Sequence, residues 1–338
     1  MINKKIAIIG GAGFIGHNLG IFLKKQGAEV SLIDSLSVNN LNSVIDNKDN
    51  LPSPELAQSF IEERLKLIKK EKIKIFIQDA RDYHALSQLL GSIKPNIIIH
   101  LAAVSHSNRS NKDPYSTFDH SFRTLENALD YSKNKVEQFI YFSSSMVYGN
   151  FNEKNVTEDN SVCNPIGIYG ALKFSGEKLV IAYKQVFDLP YTIIRPSALY
   201  GERCISRRVG QIFIENAIQK KAIVIDGDGS DKLDFTYIND LMEGVYRAII
   251  SQNSKNEIFN ITHGNGRSIK ELINVLMKNF PNIEVQNKER DKLMPERGTL
   301  SIEKAKKLIG YEPVWNLEKG YQAYIDWYKK IFEKNKFE

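Results

Sequence analysis

Three features of the chain predict an α/β fold: a doubly wound parallel sheet with a smaller C-terminal α/β lobe. The glycine-rich turn Gly10-Gly11-Ala12-Gly13-Phe14-Ile15-Gly16 directly follows the apolar run Ile6-Ala7-Ile8-Ile9. Strand-like and helix-like segments then alternate as far as Arg195, the pattern of a parallel sheet with helices on both faces. Beyond Arg195 the pattern loosens, and Gly, Asp and Arg become frequent from Gly201 to Asp231.

Ile6 to Ile9 reads as the first strand and Phe14 to Lys25 as the first helix, so the glycines sit at a strand-to-helix turn. Backbone without side chains can turn sharply there and approach a pyrophosphate, whose charge meets the free N–H groups of the helix N-terminus. A second strand, Glu29 to Ile33, ends in Asp34. An acidic side chain at that position accepts hydrogen bonds from the adenosine ribose hydroxyls and repels a ribose phosphate. The first unit is therefore Rossmann-type, and its expected ligand is NAD rather than NADP.

Further strands are expected at Ile73 to Ile77, Ile97 to Leu101, Phe139 to Ser143 and Tyr191 to Arg195, with helices at Tyr83 to Leu90, about Asp113 to Lys133, and Tyr169 to Phe187. Between Ser35 and Lys72, Pro52-Ser53-Pro54 leads into an inserted helix, Glu55 to Lys70, read as a surface decoration in preference to a flap near the adenosine. Asp234 to Ile238, the helix Asn239 to Ile250 and the strand Ile258 to Ile261 read as one more layer of the sheet. Helices at Ile269 to Phe280, Ile302 to Leu308 and Leu317 to Phe332 close the chain. At 338 residues two lobes sharing a cleft are expected. The division falls at residues 1–196 with 234–262 for the dinucleotide domain, and 197–233 with 263–338 for the substrate lobe.

Composition excludes several function classes. No apolar run approaches the roughly 18 residues of a membrane span, and Met1 to Lys5 leads straight into the first strand, so the cytoplasm is the expected compartment. Two cysteines, Cys163 and Cys204, support neither a disulfide framework nor a zinc site. Lysine and arginine exceed acids by 46 to 40, a net charge of +6 spread along the chain, which suits an anionic small substrate better than nucleic acid.

The strongest catalytic signal is Tyr169-Gly170-Ala171-Leu172-Lys173. A spacing of four puts both side chains on one helical face, so the ammonium can sit near the phenol and favour its ionisation. Tyr169 could then take a proton from a sugar hydroxyl while the carbon beneath gives up hydride. The cluster Ser143-Ser144-Ser145 stands at the carboxyl end of a parallel strand, where such sheets bind ligands.

These residues resemble the extended short-chain dehydrogenase/reductases, in particular the NAD-dependent nucleotide-sugar epimerases and dehydratases, over nearly the whole chain. Gly10, Gly13 and Gly16 match the family's glycine motif, followed by Phe14 and Ile15; Asp79-Ala80-Arg81-Asp82 matches the adenine-contacting turn, and His100-Leu101-Ala102-Ala103 the loop under the dinucleotide. Tyr169 and Lys173 match the active-site pair, and counting back three from Val147 places the catalytic hydroxyl at Ser144. Arg195 to Gly201, Gly227 to Phe235 and Lys307 to Pro313 match the substrate lobe and C-terminal signature.

The resemblance implies a nucleotide-sugar substrate and a homodimer packed through the helices near Asp113 to Lys133 and Tyr169 to Phe187. Ala198 and Leu233 stand where many members carry Asn and Arg on the substrate diphosphate, and His120 where Asn is frequent. The substrate side is therefore assigned to Ser105, His106, Ser145, Arg203, Arg208, Lys232 and Arg297, with Arg207 and Arg290 as further cations. Dehydratases of the family carry Asp-Glu directly after the catalytic residue; here Ser145-Met146 supplies no carboxyl, which favours a 4-epimerase over a dehydratase or decarboxylase. A non-catalytic NAD-binding sensor is disfavoured because Ser144, Tyr169 and Lys173 are all present.

Overall fold

Seven strands pair in parallel through the middle of the molecule: β1 Lys5–Ile9, β2 Glu29–Asp34, β3 Lys74–Ile77, β4 Ile97–His100, β5 Gln138–Phe142, β6 Tyr191–Arg195 and β7 Glu257–Asn260. The computed structural model describes residues 3–46, 51–105, 107–151, 153, 155–159, 163–291 and 294–335. The strand order is β7-β6-β5-β4-β1-β2-β3. The chain leaves β1 toward one edge and returns on its other side at β4. Connections therefore diverge between these two strands and open a crevice at their carboxyl ends.

The apolar runs follow from this topology. Ile6 to Ile9 and Ile97 to Ile99 are buried on both sheet faces, as expected of interior parallel strands covered by helices. At the edge strand β3, by contrast, Ile77 is 65% exposed. Helix α1, Phe14–Lys25, turns Gly16, His17, Leu19, Gly20 and Leu23 inward.

The inserted helix α2, Pro54–Lys70, is no surface decoration. Leu56, Ala57, Phe60, Ile61, Arg64 and Ile68 form a buried stripe. Phe60 packs at 4.7 Å from Trp327 and 5.5 Å from Tyr328, on the C-terminal helix Leu317–Asn335. Burying such a phenylalanine contributes about 1.5–3 kcal/mol, so α2 ties the first lobe to the last helix.

The helix expected at about Asp113 to Lys133 is present: it starts at Pro114–Phe118, just after a short helix at Ser107–Lys112, and runs through a π-helical turn, Asp119–Arg123, into the regular helix α3, Thr124–Ser132. Pro114 cannot continue a helix from behind it, and Asp113 caps the new start by accepting from the Ser116 N–H. One further expectation is corrected: Asp234 to Ile238 does not join the main sheet. Lys232–Asp234 pairs with Gly266–Ser268, and Thr236–Tyr237 with Leu199–Tyr200. Buried Asp234 fixes this arrangement by accepting from the N–H groups of His263, Gly264 and Leu300 and from the Thr262 hydroxyl.

Candidate active site

A cleft of about 990 Å³ opens at the carboxyl ends of β1, β2 and β4. Gly10, Gly13, Phe14, Ile15 and Gly16 line one wall, Asp34, Asp79 and Ala80 a second, and Leu101, Ala102 and Ala103 the floor. Gly10 has φ +82°, and a Cβ there would lie 2.7 Å from the Ala102 nitrogen. At Gly16 a Cβ would meet the Gly10 carbonyl at 2.5 Å, so only glycine lets α1 start this close to the turn. No side chain caps that helix start at Gly13, which leaves its first N–H groups free for an anion.

Asp34 is held ready by two backbone donors, Ala12 N–H at 2.9 Å and Leu36 N–H at 2.8 Å, one on each carboxylate oxygen. Burial pushes its carboxyl up and those donors pull it back. At Asp79, burial is outweighed by the hydrogen bonds from Arg81, which hold the carboxyl below the usual range. Arg81 also reaches Asp119 at 2.9 Å, in the π-helical turn that brings His120 to the cleft.

Beyond β5 the three serines divide their work. Ser143 donates to Glu177. Ser144 caps the following short turn by accepting from the Met146 N–H, and its hydroxyl is close enough to the Tyr169 phenol to favour the phenol's ionised form. The Ser145 hydroxyl accepts from Arg297, whose same nitrogen reaches Ser197 at 2.7 Å. Helix α4, Gly167–Phe187, carries Tyr169, Lys173 and Glu177 at a spacing of four, which puts them on one face. It lies close because Gly170 abuts the Met146 carbonyl and Gly176 the Tyr141 hydroxyl; added Cβ atoms would clash at 2.8 Å and 2.3 Å.

The description "NAD dependent epimerase/dehydratase family" belongs to the family model that matches residues 6–262. The chain belongs to that family. It is similar to the UDP-glucuronate 4-epimerase of Thermodesulfobacterium geofontis, with 28% identity covering 96% of each chain. The crystal structure of UDP-glucuronic acid 4-epimerase from Bacillus cereus, in complex with UDP-glucuronic acid and NAD, superposes with a TM-score of 0.84 at 27% identity, over 97% of this chain and 99% of that one. UDP-glucose 4-epimerase from Thermotoga maritima, with UDP-glucose, gives 0.81 at 25% identity, over 97% and 99%.

NAD is the cofactor of this family, and the cleft fits it: a glycine cradle that a Cβ would fill, an uncapped helix start, and a carboxylate with lone pairs to spare. The family site also corrects the expectation for Lys173. Its ammonium donates to the Phe142 carbonyl at 2.6 Å and lies 5.0 Å from the Tyr141 ring. The charges acting on Tyr169 come instead from Arg208 and Arg297. Burial pushes the phenol up, while Arg208, the nearby Ser144 hydroxyl and Arg297 work against that rise.

Among the sequence-assigned cations only Arg208 and Arg297 converge on the site. Arg208 donates to the Ser105 carbonyl at 3.2 Å, and the Ser105 hydroxyl accepts from Asn39. Arg203 is turned away: its guanidinium reaches His17, Glu63 and Asn18 at 3.1–3.3 Å. Lys232 is exposed and does not line the cleft. Arg207 pairs with Glu215 and Arg290 with Asp231. His106 lies outside the described residues. Among those described, no group of three or more His, Cys, Asp or Glu could hold a metal, and no helix is long and apolar enough to cross a membrane.

Sequence reasoning missed Arg64, Ser197 and Glu177, and it gave His17 no inward role. His17 is fully buried and neutral, because burial and two neighbouring arginines push its pKa well down. Its Nδ1–H donates to the Gly13 carbonyl, and Nε2 accepts from Arg203.

Desolvation pushes the Lys173 ammonium down to about 8 from the usual lysine range. A lysine held this low keeps its proton below pH 8 and loses it as pH rises through that value. Activity that needs the ammonium is predicted to fall on an alkaline limb near pH 8, measured as kcat/KM against pH; a limb first appearing above pH 10 would contradict this.

Proposed function

We propose that this protein is an NAD-dependent nucleotide-sugar 4-epimerase acting on a UDP-sugar through a transient 4-keto sugar. The observation that carries the reading is the placement of the Ser144 hydroxyl, Arg208 and Arg297 around the Tyr169 phenol, with neutral Ser145-Met146 next to Ser144. Tyr169 removes the proton of the sugar 4-hydroxyl and returns it after inversion, with Ser144 bridging the reacting oxygen and the phenol. The chemistry that bound NAD would supply to these residues is reversible hydride acceptance at C4. Gly10, Gly13, Phe14, Ile15, Gly16, Asp34, Asp79, Ala80 and Leu101 to Ala103 hold that cofactor in this reading. No acidic side chain follows Ser144, so the general acid–base pair that dehydration of C5 and C6 requires is missing at that position.

Arg297 and Arg208 favour an anionic sugar. Arg297 is half-buried and acts on Tyr169, and its hydrogen-bond partners among the described residues are hydroxyls and a thioether, not carboxylates. A half-buried cation with neutral partners is stabilised by an incoming carboxylate, so a UDP-uronate fits better than a UDP-hexose. Incubation with UDP-glucuronate and UDP-glucose, followed by mass and NMR analysis, should show inversion at C4 without change in mass, with the uronate preferred by about 10-fold or more, the worth of one charge-assisted bond. Loss of water or carbon dioxide would contradict the epimerase reading.

A homodimer through the two helical segments is part of the proposal. Tyr115 (85% exposed), Phe118, Val186 and Phe187 are solvent-exposed on the expected interface helices, an apolar surface that pairing would cover. Sedimentation at the monomer mass across micromolar concentrations would contradict it.

A further inference from the structure

Arg64 is the largest fully buried side chain of the molecule that the proposed chemistry leaves unused, with 1% of its surface exposed. It projects from α2, the helix inserted between β2 and β3. Its Nε and Nη2 both donate to the Arg203 carbonyl, which clamps the guanidinium plane. That carbonyl is presented by a residue in left-handed backbone, φ +65°. The remaining nitrogen, Nη1, is buried and has no hydrogen-bond partner among the described residues. A buried donor left unpaired is strongly disfavoured, more so on a charged group.

Asp34 is near enough to act on Arg64 through space, but its two oxygens already accept from Ala12 and Leu36. The nearest other ionisable neighbours include a second arginine, Arg203, and the neutral His17. Arg64 lines the same cleft as Gly13, Phe14 and Asp34, under the segment Ile205, Ser206 and Arg208. Buried Arg64 thus adds positive potential beside a helix start that is itself positive, while half-buried Arg203 is paired with Glu63.

We propose that Arg64 is a ligand of the cofactor's pyrophosphate, with Nη1 taking a phosphate oxygen in front of Gly13. The inserted helix is then part of the cofactor site, and the clamp on the Arg203 carbonyl fixes the guanidinium before the cofactor arrives. This rests on the NAD site described above, but it assigns a residue that the glycine motif and Asp34 leave out.

The test compares binding of NAD, ADP and adenosine to the cofactor-stripped protein and to Arg64→Met by calorimetry. The variant should bind NAD and ADP about 10- to 100-fold more weakly, while adenosine stays within about twofold, because only the first two carry the pyrophosphate. Unchanged ADP and NAD affinity overturns the proposal, as does an equal loss for adenosine, which would mean that Arg64 only supports the fold. Should Arg64→Met fail to fold, Arg64→Lys is expected to show a smaller loss of the same kind. In the unmodified protein with ¹⁵N-arginine, ADP should shift one buried Nη resonance that adenosine leaves in place; an unmoved resonance overturns the assignment. Failure of the NAD site itself looks different, since the unmodified protein would then bind none of the three.

Discussion

Replacing Tyr169 with phenylalanine is expected to lower kcat by about 10³-fold, within the range for loss of a positioned acid–base group. The change removes one oxygen and leaves the ring packed where α4 lies against the Met146 turn. Ser144 keeps its capping bond to the Met146 N–H, so the active-site backbone has no reason to move. NAD content and thermal stability should therefore match the unmodified protein, and kinetics of the purified variant check both. A loss below tenfold would mean that some other group moves the proton.

A second large effect is structural. Glu177→Ala is expected to destabilise the protein by about 3–5 kcal/mol, the cost of leaving a buried charge unpaired. Glu177 and Arg195 form a bidentate pair at 2.7–2.8 Å, with side chains only 1% and 3% exposed. Arg195 also reaches the Tyr148 hydroxyl at 2.8 Å and lies 4.7 Å from that ring. Ser143 donates to Glu177 from the opposite side. The pair thus locks α4 to β5 and β6, and Lys173 and Tyr169 sit on the same helical face one and two turns earlier. Denaturant titration checks the figure; a shift under 1 kcal/mol would mean that Arg195 finds a new partner.

What the sequence made legible was local. The glycine turn, Asp34 and the Tyr169–Lys173 spacing each depend on residues a few positions apart, and the structure places them where their periodicity requires. The contacts that escaped are between distant segments. Nothing near Phe60 announces that it meets Trp327 and Tyr328, so α2 read as decoration. The arginines of residues 203–208 look interchangeable in sequence, yet left-handed backbone at Arg203 and Arg207 sends their side chains to α1 and Glu215, leaving Arg208 for the site. Arg297 reaches Ser145 and Ser197 from a remote loop. The helix start at Pro114 was legible, since Asp-Pro is a helix-start signal; the π-helical turn after it was not.

The central claim is that the C4 hydrogen of the sugar leaves and returns within one closed site, on opposite faces of the ring. It is tested most directly with UDP-glucuronate carrying deuterium at C4, incubated in ordinary water and analysed by NMR after equilibrium is reached. A hydrogen returned from within the site never meets solvent, so the C4 epimer should retain its deuterium in full, with none appearing at C5. Deuterium replaced by solvent hydrogen at C4, or solvent hydrogen incorporated at C5, would contradict the account.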